Sequence, residues 1–205
     1  MTGIVAQNVG RTSGLIKAAS GGGGVWTLIK TVTASSSATI TFINGTSDVV
    51  LDSTYPTYVI KYINVHPSNQ SSLTMNLTID GSNWNVSKTT TCIECYNWEN
   101  GSTPVLAYRD LDLANGTGEQ NLMVGLGTDN DENGCGEMWL FNPSSTTFVK
   151  HFIIDTNFME NQGLCFRQPV AGYANTTSAV TGVRFIMAAG TIDSGTFKLY
   201  GLGDS

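Results

Sequence analysis

His66 and His151 are the only imidazoles in this chain, and neither stands near a recognisable catalytic motif. His66 precedes Pro67 in YINVHP, and His151 sits inside FVKHFIID. No nucleophile elbow, phosphate-binding loop, dinucleotide fingerprint or helix-borne zinc signature occurs. Triads assemble across sequence distance, so a histidine-based hydrolase remains the enzymatic alternative. Structural or surface histidines are the simpler reading. The expectation is a chain with no catalytic residues, no enzymatic activity and no cofactor.

Four cysteines offer metal or redox chemistry: Cys92 and Cys95 form a C-x-x-C pair, with Cys135 and Cys165 far downstream. A structural zinc site normally brings two such pairs, each holding the metal from a tight turn, and only one is present. In extended chain, residues three apart face opposite sides, so Cys92 and Cys95 should have different neighbours. Two readings stay open: buried free thiols, or a bridge formed after release from a reducing cytoplasm. The loop GTDNDENGCG places Asp129, Asp131 and Asn133 at the first, third and fifth positions of a calcium loop, and Glu137 at the ninth. Its twelfth position, which needs a bidentate Glu, is Leu140, and no flanking helices are expected. A solvated hairpin tip rich in turn formers explains the same residues without a metal.

Aromatic residues supply the binding option. Trp84 (GSNWNVS), Tyr96 and Trp98 (ECYNWENGS) lie in polar, loop-like surroundings, where exposed rings can stack on sugar faces. Burial in a core or beneath a long loop is commoner for such rings. A host-surface glycan is the ligand this platform would serve.

The composition limits the partners. A net charge of −6 and a pI near 4.7, with 10 Lys and Arg spread thinly, supply no basic stripe for nucleic acid. Charged residues make up 13% of the chain, leaving a surface dominated by Ser, Thr, Asn and Gly. No stretch is long and apolar enough for a membrane-spanning helix. MTGIVAQNVGRTSGLIKAAS lacks the uninterrupted apolar run of a signal peptide, so a soluble protein outside the secretory route is expected. The N-x-S/T sequons at Asn44, Asn69, Asn76, Asn85, Asn100, Asn115 and Asn175 then follow from composition rather than glycosylation.

The elements are strands. In VWTLIKTVTAS, Val25, Thr27, Ile29 and Thr31 alternate with Trp26, Leu28, Lys30 and Val32. ATITFING ends in the tight-turn pair Asn44-Gly45. YVIKYINV is dense in β-branched and aromatic residues, and Leu73, Met75, Leu77 and Ile79 predict one dry face on the next strand. Two hairpins are predicted: Gln120–Leu126 with Glu137–Phe141, and VRFIMAAG with GTFKLYGL, where Phe197 and Leu199 point inward. About eight to ten strands, with no long amphipathic helix or repeat, predict an all-β antiparallel β-sandwich, most simply a jelly roll.

Gly21, Gly22, Gly23 and Gly24 separate that body, residues 25–205, from an arm, residues 1–24 with the glycines included. The arm's apolar residues Ile4, Val5, Val9, Leu15 and Ile16 have no strong period. Burying them contributes less than the backbone entropy lost on fixing the arm. A flexible arm is therefore expected, becoming ordered only on a partner, by lending backbone hydrogen bonds to a sheet edge. The glycines would be its hinge.

NVGRTSGLIKA, STYPTYVIKYINVHP, GEMWLFNPSSTTFVKHFIIDTN and NTTSAVTGVRFIMAAGTIDSGTFKLYGL together resemble virion structural proteins from tailed phages of aquatic bacteria. The resemblance spans nearly the whole chain, but the four cysteines are not part of it. It implies a non-enzymatic β-sandwich on the exterior of a virion, assembled in the host cytoplasm. A capsid decoration (cement) protein bound to a major capsid protein fits best, with a tail or fibre component as the alternative. A homo-oligomer, a trimer by preference, would suit local threefold positions.

Overall fold

The computed structural model describes residues 25–203. The arm residues Ile4, Val5, Val9, Leu15 and Ile16 and the hinge Gly21–Gly24 lie outside the described residues. Thirteen strands form among the described residues, more than expected: β1 (Trp26–Ser37), β2 (Ile40–Ile43), β3 (Thr57–Pro67), β4 (Ser71–Thr78), β5 (Lys88–Trp98), β6 (Val105–Tyr108) and β7 (Gln120–Leu126) come first. Then follow β8 (Gly134–Phe141), β9 (Lys150–Glu160), β10 (Leu164–Arg167), β11 (Val170–Ala174), β12 (Gly182–Met187) and β13 (Ile192–Leu202).

Every pairing is antiparallel, and the ladder runs β1-β13-β3-β8-β9-β7-β4-β12-β2. Between β9 and β7 it narrows to the single pair Leu126↔Glu160, where the sheet turns over. The two resulting layers face each other. Phe185 of β12 packs 5.7 Å from Tyr62 of β3 and 5.3 Å from Phe197 of β13, although β12 pairs with neither strand. The protein is an all-β antiparallel sandwich, as the strand pattern predicted.

Two four-stranded layers form its centre, β1-β13-β3-β8 and β2-β12-β4-β7. Consecutive centre strands repeatedly change layer: β1 to β2, β3 to β4, β7 to β8 and β12 to β13. Both predicted hairpins therefore fail. Gln120–Leu126 and Glu137–Phe141 belong to opposite layers, as do VRFIMAAG and GTFKLYGL, although Phe197 and Leu199 do point inward. The remaining strands extend the first layer beyond β8. β10 and β11 fill one lane between β9 and β5, interrupted at Gln168-Pro169, and β6 closes that edge.

Two more alternation patterns are corrected. A register shift between Leu28 and Lys30 marks a bulge at Ile29. Leu28 faces Tyr200 on the outer side, whereas Val32 faces the buried Phe197 on the inner side. The bulge reverses the alternation that an uninterrupted strand would keep. In β4 both faces are dry, since Thr74, Asn76 and Thr78 are as buried as Leu73, Met75 and Leu77. The segment after β4 and the segment before β7 give Asn76 its partners on this second face, the Trp84 and Thr117 carbonyls.

Gly136 is a point of close approach in the core. A Cβ there would lie 2.5 Å from both the Asp155 carbonyl oxygen and the Tyr62 ring. Tyr62 is fully buried between the layers. Gly136→Ala is expected to lower stability by about 1–3 kcal/mol, because the rigid carbonyl cannot yield. A urea titration measures this as a lower midpoint.

Candidate functional site

The two histidines lie apart. His66 Nδ1 sits 3.6 Å from Asp193 Oδ2, while its Nε2 is buried without a hydrogen-bond partner among the described residues. His151 is exposed on β9, with its ring 5.8 Å from Tyr173. Of the thiols, Cys92 is buried and Cys165 exposed, with Cys95 and Cys135 between, and none is bridged. Desolvation pushes the Cys92 thiol up to about 11. Cys95 lies across the strand from it, against the Arg167 carbonyl, so the C-x-x-C pair does face two environments.

Among the described residues, no three His, Cys, Asp or Glu side chains converge as metal ligands. Asp129 and Asp131 are exposed, and Glu132 Oε2 accepts the Asp129 N–H at 2.9 Å. The Asn133 N–H bonds the Asp131 carbonyl at 3.2 Å. Glu137 lies on β8, 3.4 Å from Lys61, and accepts the Trp139 indole N–H at 2.9 Å. The four calcium candidates are thus dispersed among local bonds.

The three candidate aromatics separate into two places. Trp84 lies in the segment after β4, half-buried, with the Arg184 guanidinium 5.1 Å above its ring. Around it sits a polar cluster: Asn76 Nδ2 donates to the Trp84 and Thr117 carbonyls and to Glu119, and Arg184 also pairs with Glu119. Lys88 is fully buried and donates to Asn76 Oδ1 at 2.6 Å and to the Val86 carbonyl at 2.8 Å. Desolvation lowers its pKa to about 8, the nearby Glu119 opposing that shift. This cluster seals the outer side of the second layer.

Tyr96 and Trp98 are on β5, not in a loop. With Glu94 they occupy alternate positions and line a cleft of about 350 Å³, completed by Arg109, Val124, Glu160, Gln162, Leu164 and Phe166. Tyr96 meets Trp98 edge-on at 6.4 Å and leans on Phe166 at 4.8 Å. Arg109 pairs with Glu94. Glu160 is 8% exposed and accepts the Gln162 backbone N–H at 3.0 Å. The period-2 spacing of Glu94, Tyr96 and Trp98 was a readable sign that they share a face. Glu160, Gln162 and Arg109 had no local signal, because the added strands bring them in from elsewhere.

The outer face of the first layer is different again. Register places Leu28, Tyr200, Val59, Trp139, Ile153 and Ala171 in one row across six strands. The next row holds Lys198, Lys61, Glu137 and Asp155, and Arg167 forks onto Asp155. Trp26, the second described residue, lies edge-on to Trp139 at 5.7 Å and to Tyr200 at 5.5 Å, with Lys61 Nζ 4.8 Å from its ring. Leu28 and Ile153 remain about half exposed, at 52% and 51%. An apolar outer row with an aromatic clasp at its open edge is a surface suited to contact with other chains. Comparisons with protein-family models, curated proteins and solved structures found no match.

Lys88 provides a pH signature for the sealed cluster. Its folded pKa lies below its ordinary value of 10.5, so between about 8 and 10.5 the unfolded chain binds more protons. Stability from this group therefore rises with pH across that window. Lys88→Met should remove the rise, seen as a wild-type-minus-variant difference in unfolding free energy that increases with pH across the same window.

Proposed function

We propose that this chain is a non-enzymatic structural protein of a phage virion exterior, a capsid decoration protein attached to a capsid surface through its N-terminal arm. The observation that carries the reading is where the arm joins the body. Residue 25 leads directly into β1, a twelve-residue strand paired on one side only among the described residues, and Trp26 is clasped there by Trp139 and Tyr200. The other ladder edges, β2 and β6, have only four residues each, the usual way to blunt an edge. A long open edge at the root of an arm supports attachment by backbone pairing between chains.

The centre strands add support by analogy of fold. Two four-stranded layers with consecutive strands changing sides support reading the sandwich as a jelly roll, an architecture common in viral capsid and lectin domains. The sequence resemblance to phage virion proteins points the same way. A body without a shaft repeat favours the capsid over a tail fibre, and a trimer suits local threefold sites on a capsid.

The test compares particles assembled with the full chain and with residues 2–20 deleted, imaged at chain-resolving resolution. The deleted chain is expected to melt as the full chain does in solution and to be missing from the particle surface. Undiminished occupancy by the truncated chain, or absence of the full chain from particles, overturns the reading.

A further inference from the structure

The cleft on β5 has a chemistry that assembly does not require. Its volume, about 350 Å³, is at the small end of the range for ligand pockets. It lies where the strands added beyond β8 meet the end of β7, through the Leu126↔Glu160 pair. One wall is aromatic and held in place: Phe158 stacks on Phe166 at 5.1 Å, Phe166 supports Tyr96, and Tyr96 meets the edge of Trp98. The wall opposite is polar.

Glu160 is the informative residue of that polar wall. The residue is more than nine-tenths buried, yet no Lys, Arg or His stands within ion-pair distance among the described residues. Among the described residues it is bonded only by Gln162, through the backbone N–H at 3.0 Å and Nε2 at 3.4 Å. An ionised carboxylate has about four lone-pair sites, and burying them without donors is costly. Room for it is built into the backbone: Gly125 has φ +78°, and a Cβ there would lie 2.8 Å from Glu160 Oε1. An oriented, under-donated carboxylate beside an aromatic wall fits a ligand that has hydroxyl donors on its rim and an apolar C–H face.

Charge narrows the ligand further. Glu94 and Arg109 neutralise each other, which leaves the cleft one negative charge from Glu160. Uronic and sialic acids are repelled, as are phosphates, while neutral and amino sugars are admitted. We propose that the cleft binds a neutral or amino hexose residue, with Tyr96 and Trp98 against the sugar face and Glu160 and Gln162 on its hydroxyls. Trp84 has no part in it, being held under Arg184 in the sealed cluster. The site is independent of how the arm attaches.

The purified full chain, free of any particle, is the material for the test. It is titrated with methyl glycosides of glucose, galactose, mannose and glucosamine, with glucuronate as the anionic control, and applied to an array of polysaccharides. Calorimetry and tryptophan fluorescence provide the readouts. Saturable binding of at least one neutral or amino hexose is expected, without binding of glucuronate. Glu160→Gln and Trp98→Ala should each weaken it about tenfold or more, and Trp84→Ala should leave it unchanged. Should Trp98→Ala fail to fold, Gln162→Ala, an exposed position, is expected to weaken binding several-fold with an unaltered melting curve. The array arm separates a monosaccharide pocket from one that needs a polymer end. Absence of saturable binding by every sugar, stronger binding of glucuronate, or full affinity in a folded Glu160→Gln variant overturns the proposal.

Discussion

Tyr62 stands between the two layers against Phe185 and Phe197, and its ring occupies the space that any side chain on Gly136 would need. The packing of these rings sets how closely the layers approach, because aromatic pairs of this kind contribute beyond the area they bury. Met75, Leu77, Val183 and Leu199 are fully buried in the same core. Both outer surfaces are displayed by that spacing. One is sealed by the Asn76–Lys88–Glu119–Arg184 cluster, and the other carries the open row from Leu28 to Ala171.

The fold was legible in the sequence strand by strand and opaque in its pairing. Alternation in YVIKYINV and GTFKLYGL marks strands and their inner residues, since burial of one face imposes a period of two. Nothing in that period names the partner strand. The hairpin expectation took chain neighbours to be sheet neighbours, and a sandwich whose strands keep changing layer breaks that assumption. The bulge at Ile29 was likewise invisible, because one extra residue leaves composition unchanged while reversing every side chain that follows. Asn76 read as a wet-face residue because its partners lie up to 43 positions away.

The candidate site was half legible for a related reason. Tyr96 and Trp98 drew notice as aromatics in polar company, and Trp84 drew it on the same grounds, yet only two of the three meet. Composition cannot separate a ring held beneath an arginine from one that lines a cleft. The deciding residue, Glu160, sits at the end of β9 and reaches the cleft only because β9 joins β7 there by one pair. The two surfaces thus have different origins. The apolar row crosses the centre strands of the first layer and runs on to β9 and β11, whereas the cleft belongs mostly to the strands beyond β8.

The root of the arm has a mechanical consequence. β1 is joined to β13 by ten residue pairs, from Trp26↔Leu202 to Ser37↔Ile192. A force on residue 25 directed along the strand is shared by all ten in shear. A force directed away from the edge meets them one at a time, and the first to yield is the ring of Trp26 between Trp139 and Tyr200. The same tether is therefore strong against tugging along the sheet and weak against lifting. An object held by it would resist sliding far better than peeling.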